Sequence, residues 1–277
     1  MPRRERNEEV PTDAPSIILP SWFHEAKKYQ VMEYDTKKYP FREVIAEWLE
    51  VPSDKLEQIH EIKTIPETRT PIHPLIRHAW TAAKLEPKIS STMRRAKKTG
   101  LYSSPQYENY IKVYRDFIRN EIRPLCTNGS IDEQIVYQYP PTTRVVMPNG
   151  NKTISMHCDK DYDNHQDAEI NFWIPVTLVR GNNSLFLESK PGKGDFQSVE
   201  LQYGQYLKFD GHDCRHYTVH NDTDTCRVSF DFRVIPTGLC TQKQRIGDFC
   251  VEETTSDAAY ISYWKKSKKN SNPIPCD

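Results

Sequence analysis

The sequence of 277 residues has no long apolar run: no window approaches the roughly 18 residues that a membrane-spanning helix needs. It also lacks a surplus of charge, with 38 Lys plus Arg against 38 Asp plus Glu. That balance removes the long-range field that would draw in a nucleic acid or an acidic membrane, and leaves a small-molecule substrate as the expected partner. Glycine is scarce, at 10 residues, and together with the 20 prolines it follows no period, which excludes collagenous and repeat architectures. The seven cysteines are odd in number and form no Cys-x-x-Cys pair, so neither a disulfide framework nor a thiolate zinc site is indicated. The N-terminus is charged and has no apolar h-region, so the chain is expected to be soluble, unsecreted and cytoplasmic, and its four Asn-x-Ser/Thr sequons to be chance occurrences. The basic runs 94–98 and 265–269 read as solvated surface.

What is present divides the chain by texture. Residues 1–16 are polar and contain proline, as a disordered arm would. Phe41, Val44, Ile45, Trp48 and Leu49 fall at helical spacing, and Ser53-Asp54-Lys55-Leu56-Glu57 looks like a cap entering another helix. The longest amphipathic stripe runs from Tyr107 through Tyr110, Ile111, Tyr114, Phe117 and Ile118 to Ile122, with Pro124 as its stop. The helical part is therefore placed at about 17–127. From Asn128-Gly129 the pattern changes to short β-prone runs at 134–139, 143–147, 153–157, 169–177, 184–187, 199–202, 205–209, 216–220 and 226–235, separated by turn residues. This spacing predicts an all-β sandwich or barrel over about 128–240, followed by a C-terminal extension over about 241–277. The expected fold class is α+β, with N-terminal helices packed on a jelly-roll, cupin-like core (a double-stranded β-helix). Residues 17–277 are expected to form one catalytic domain, because the connection 126–130 is too short for a free linker.

The chemistry centres on His157-Cys158-Asp159. Alternate strand residues share a face, so a His-x-Asp can present two ligands to one ion. The chain holds two more such triplets, at 165–167 and 220–222, so the downstream residues have to decide between them. A hairpin pairing His220 with Thr225 would set Thr218 opposite Arg227 and His216 opposite Ser229. That would bring a guanidinium and a hydroxyl beside a third imidazole, and Arg can grip a carboxylate bidentately. A site with two His and one carboxylate leaves positions open for a bidentate oxoacid and O2.

The ordered set His157, Asp159, His216 and Arg227-Val228-Ser229, with 56 residues between Asp159 and His216 and ten between His216 and Arg227, resembles the signature of the iron(II)/2-oxoglutarate oxygenases. More locally, the residues 157–165, 169–177, 183–189 and 227–233 are similar to the streptomycin-biosynthesis type of these enzymes, related to phytanoyl-CoA-type dioxygenases, and the resemblance spans about 134–236. It implies an iron(II) centre held by His157, Asp159 and His216, with 2-oxoglutarate and O2 as cosubstrates and Arg227 binding the far carboxylate of the oxoacid; Arg233, on the same strand and face, is its rival for that role, and the spacing favours Arg227. It further implies oxidation of a C–H bond by hydroxylation, desaturation or ring closure. Ser229 and Thr218 are candidate second donors to that carboxylate, and Asn171 and Trp173 candidate walls of the cosubstrate pocket. Gln138, Arg144 and Glu188, if inward, would recognise a polar substrate; a solvent-facing position is the equal alternative. His165 and His220 read as hydrogen-bonding residues, since a further imidazole would take a position that the cosubstrate needs. A protein or peptide hydroxylase and a non-enzymatic cupin-like metal module are the competing classes.

Overall fold

The computed structural model describes residues 18–62, 73, 75–76, 78–79, 83, 103–130, 133–150, 152, 154–162, 165–240 and 249–252. Residues 1–16, most of the extension after 240 and the basic runs lie outside the described residues. Three early elements are α1 (Ser21–Ala26), β1 (Gln30–Glu33) and α2 (Phe41–Leu49), followed by a 3-10 segment over Ser53–Glu61. The long helix α3 (Pro105–Phe117) starts on Ser104, whose hydroxyl accepts from the Tyr107 amide at 3.1 Å, with Pro105 in the first turn where its missing N–H costs nothing. The helix does not stop before Pro124 as its sequence suggests. A π turn over Ile118–Ile122 widens the coil just ahead of that proline, and a last helical turn, α4 (Arg123–Cys126), carries it through.

Nine further strands follow: β2 (Ile135–Gln138), β3 (Thr142–Val146), β4 (Ile170–Pro175), β5 (Phe186–Leu187), β6 (Gln197–Ser198), β7 (Gln205–Phe209), β8 (His216–Tyr217), β9 (Arg227–Pro236) and β10 (Phe249–Glu252). They form two antiparallel sheets. The larger has the order β1-β7-β4-β9-β2-β10, with β3 added to the front half of the ten-residue β9; the smaller is β6-β5-β8. Two strands differ from expectation. Strand β1 lies in the segment read as helical and pairs with β7, and β10 comes from the segment read as an extension and pairs with β2. Both are four residues long, too short to leave a period that a sequence pattern could register.

Strand β9 sets the layers. Its alternate residues Val228, Phe230, Phe232 and Val234 are buried in one core with the helices. The ring of Phe230 lies 4.8 Å from Phe41, 5.8 Å from Tyr110 and 6.2 Å from Tyr114, and Phe232 lies 5.2 Å from both Tyr114 and Phe172. A second, smaller core holds Trp173, Leu185, Leu187, Leu207 and Phe209, drawn from both sheets. The other face of β9 carries Arg227, Ser229, Asp231 and Arg233, which is the polar face from which the site is built.

Candidate metal centre

His157 and His216 form an isolated antiparallel bridge in which each backbone amide donates to the other's carbonyl, at 3.2 and 2.8 Å. Their rings lie 4.5 Å apart. Asp159 does not continue a strand from His157; it opens a 3-10 turn (Asp159–Asp161), and its amide donates to the Gly211 carbonyl at 2.8 Å. The turn still carries the carboxylate to the imidazoles. Asp159 Oδ1 is 3.5 Å from His157 Nε2 and 3.9 Å from His216 Nε2. One donor atom from each residue lies within 4.8 Å of the others, as a three-ligand metal centre requires.

Both imidazoles have their tautomer set from behind. His157 Nδ1 lies 2.7 Å from the Ser155 carbonyl and His216 Nδ1 3.1 Å from that of Cys214. A carbonyl only accepts, so each Nδ1 carries the proton and each Nε2 presents its lone pair to the site. Burial pushes the pKa of His216 down to about 4, against the pull of Asp159. Burial also works against a charged His157, but the Asp159 carboxylate and the Ser155 carbonyl favour its protonated form and carry its pKa above the ordinary value. For Asp159 burial disfavours the charge, yet the Arg233 guanidinium and His157 hold its carboxyl well below the usual carboxylate range. The site thus offers an ionised carboxylate and a neutral imidazole at neutral pH, which is the state metal ligands need.

Asp159 is fixed by two partners. Arg233 grips it with Nε to Oδ2 at 2.7 Å and Nη2 to Oδ1 at 3.0 Å, while Asn171 Nδ2 donates to Oδ2 at 2.7 Å. Asn171 in turn accepts from the Gly211 amide at 3.1 Å. A Cβ at position 211 would stand 2.4 Å from the Asn171 amide, so only glycine lets that chain pass. A second grouping, Asp159 with His165 and Glu169, lies behind the first. There His165 Nδ1 is 2.6 Å from Glu169 Oε2, and Glu169 also accepts from the Gln166 amide, which makes it an internal brace.

The centre opens into a cleft lined by both histidines, Asn171, Trp173, Arg144, Asp231 and Arg233 among others. Gln138 is tied to this wall, accepting from Arg233 Nη1 at 3.1 Å and donating to Thr142 Oγ1 at 2.9 Å. Three of the residues read from the sequence are placed differently from expectation. Glu188 does not face the cleft: its carboxylate accepts the backbone amides of Arg215 at 2.6 Å and Gly194 at 3.0 Å. Thr218 is not the ladder partner of Arg227, which pairs with Val146; its hydroxyl accepts from the Ile154 amide at 2.9 Å. His216 does not pair with Ser229, because β8 pairs with β5 in the small sheet while β9 pairs with β3 and β4. The expected hairpin fails because Asn221, read as a turn residue, is claimed by another loop. Its backbone exchanges hydrogen bonds with Asn149 and Gly150, and its side chain bonds the Met147 and Thr225 carbonyls.

Arg227 is fully buried and lies outside the cleft lining, its guanidinium 5.9 Å from the Trp173 ring and donating to the Asn183 carbonyl at 2.9 Å. Burial and the nearby Arg144 push its pKa down to about 9, with Asp231 pulling the other way. Ser229 sits two residues along the same face, its buried hydroxyl without a hydrogen-bond partner among the described residues. Sequence reasoning missed Asp231 and weighed Arg233 only as a rival to Arg227. The signal was the strict alternation in Arg-Val-Ser-Phe-Asp-Phe-Arg, which puts all four polar residues on one face.

No protein-family model matches the chain. Among solved structures it aligns with the non-heme alpha ketoglutarate dependent carbocyclase SnoK from nogalamycin biosynthesis at 13% identity, covering 77% of this chain and 81% of that one, with a TM-score of 0.43. It also aligns with the non-heme monooxygenase ThoJ in a nickel complex at 14% identity, 59% of this chain and 68% of that one, with a TM-score of 0.36. In sequence it is 31% identical over 172 residues to the streptomycin biosynthesis protein StrG of Streptomyces griseus, covering 61% of this chain and 81% of that protein. With that identity over that share of the relative, the chain belongs to the family of the streptomycin biosynthesis protein StrG.

Proposed function

We propose that the chain is a non-haem iron(II) oxygenase that uses 2-oxoglutarate and O2 to oxidise a C–H bond of a small polar metabolite in natural-product biosynthesis. The observation that carries this reading is the convergence of His157 Nε2, His216 Nε2 and Asp159 Oδ1 at the head of a cleft lined by polar and aromatic side chains. The donor set fits iron(II): two neutral-capable imidazoles and one ionised carboxylate, with the rest of the coordination sphere left to ligands from the cleft. The relative's part in streptomycin biosynthesis supports the metabolic setting. The two antiparallel sheets, whose side chains share the smaller core, support a double-stranded β-helix core, and the shared buried core of helices and large sheet supports one catalytic unit.

When bound, the iron supplies O2 activation coupled to oxidative decarboxylation of the oxoacid. The chain's own residues hold and orient. Arg233 and Asn171 keep Asp159 Oδ2 turned away, so that Oδ1 faces the imidazoles. Arg227 is assigned to the far carboxylate of 2-oxoglutarate, helped by the Ser229 hydroxyl. A buried arginine that feels a second arginine, Arg144, is stabilised by an anion between them, and a dicarboxylate supplies one. Trp173 and Phe209 keep water from the cleft wall.

The test is succinate and CO2 release from 2-oxoglutarate by the purified chain with iron(II), alone and with small polar metabolites. Succinate release that is abolished in His157→Ala, Asp159→Ala and His216→Ala is expected. Absence of succinate with every metabolite, or activity persisting in any of the three variants, overturns the reading.

A further inference from the structure

Most charged groups in the cleft are fully engaged. Arg233 is bidentate on Asp159 and bonded to Gln138, and Asp159 is gripped from two sides. Asp231 is the exception. Its Oδ1 accepts one bond, from Arg144 Nε at 3.3 Å, and its Oδ2 lies 3.9 Å from Arg233 Nη1, beyond hydrogen-bond reach. An ionised carboxylate can accept about four bonds, so most of its capacity faces the cleft. The Arg144–Asp231 pair is partly solvated and single-bonded, the kind of ion pair that contributes little and that a better-placed cation displaces.

The residue directly across the ladder from Asp231 is Trp173, on β4, and both line the cleft. Cross-strand partners hold their side chains side by side on one face. A carboxylate favours a cation by charge, and the Trp173 indole, which already has the Arg227 guanidinium 5.9 Å from its ring, is an aromatic surface on which a cation can rest. The next residue on the same face of β9 is Arg233, whose guanidinium holds Asp159, so a group on Asp231 sits within the span of a small molecule from the metal ligands.

Resting on the oxygenase reading above, we infer that Asp231, flanked by Trp173, is the substrate-recognising carboxylate, and that the substrate is a small molecule with an ammonium or guanidinium group a few bonds from the C–H that is oxidised. Arg144 holds Asp231 while the cleft is empty and gives way to the incoming cation. An anionic substrate would meet the carboxylate, and a neutral one would leave the Arg144–Asp231 pair as it is.

The probes are cyclohexylamine, as its ammonium, and cyclohexanol, titrated calorimetrically into full-length protein loaded with zinc(II) and 2-oxoglutarate. At least tenfold tighter binding of the ammonium is expected; Asp231→Asn should erase that preference and Asp231→Glu retain it. Equal binding of the two probes, binding of neither, or a preference that survives Asp231→Asn overturns the inference. Should Asp231→Asn not fold, Asp231→Ser decides: it too removes the charge, so the ammonium preference should vanish, and a preference that persists counts against the proposal. No turnover enters this measurement. An ammonium preference without succinate release would sink the oxygenase reading and leave the cation site standing; succinate release without the preference would do the reverse.

Discussion

At the scale of single residues, the two arginines on β9 divide the work differently from the way their spacing suggests. Sequence reasoning assigned Arg227 to the cosubstrate and treated Arg233 as its rival on the same face; the structure puts Arg233 on Asp159. Removing a group that orients a metal ligand costs ten- to a hundredfold in metal affinity in comparable sites, so Arg233→Ala should weaken manganese(II) binding by about that factor in calorimetry. Arg227→Lys should leave metal binding nearly unchanged and raise the KM for 2-oxoglutarate, since a point charge replaces a two-bond fork. His216 gives a third outcome, in the metal-free protein. Its folded pKa, about 4, lies below the unfolded value near 6.5, so the unfolded chain binds more protons between them and stability falls as pH falls through that window. His216→Gln should remove up to about 3 kcal/mol of that acid-side loss, read from urea melts at pH 7 and pH 4.5. A variant with the same pH dependence as the parent would show that His216 is not the neutral ligand described.

At the scale of elements, legibility followed period length. α2, with a face of Phe41, Val44, Ile45, Trp48 and Leu49, and α3, with its aromatic stripe, were readable because their apolar positions recur over two or more turns. Strand β7 was readable end to end, and β9 within a residue, because both are β-prone runs of five residues or more. His157, Asp159 and His216 converge despite the wrong hairpin, because their selection rested on their order along the chain as well as on that pairing. What could not be read was pairing: β8 is two residues long, and its partner β5 lies 29 to 31 positions upstream in the chain, beyond any turn signal. The helix–sheet seam is testable at Phe230, which touches α2 and α3 at once. Phe230→Ala should cost about 3–5 kcal/mol in a denaturant melt. Ser104→Ala, which removes only the α3 cap, should cost about 1 kcal/mol.

For the whole molecule, one buried core runs from Phe41 and Tyr110 in the helices to Phe230 and Val234 in the large sheet, and β1 adds an N-terminal edge to it. Full-length protein should therefore melt in one transition, raised by 2-oxoglutarate with zinc(II), and residues 128–277 alone should be insoluble or inactive. A soluble, fully active 128–277 fragment would show that the first part is detachable. The bridge between His157 and His216 has a kinetic side as well. Because each amide already bonds the other's carbonyl, the two imidazoles stand in place before an ion arrives, and loading the centre asks for no search by the chain. The pace of uptake should then be set by how fast the ion sheds its own water. Manganese(II), which exchanges water quickly, should load faster than nickel(II), which exchanges it slowly, and a stopped-flow rate common to both ions would mean that the backbone has to open first.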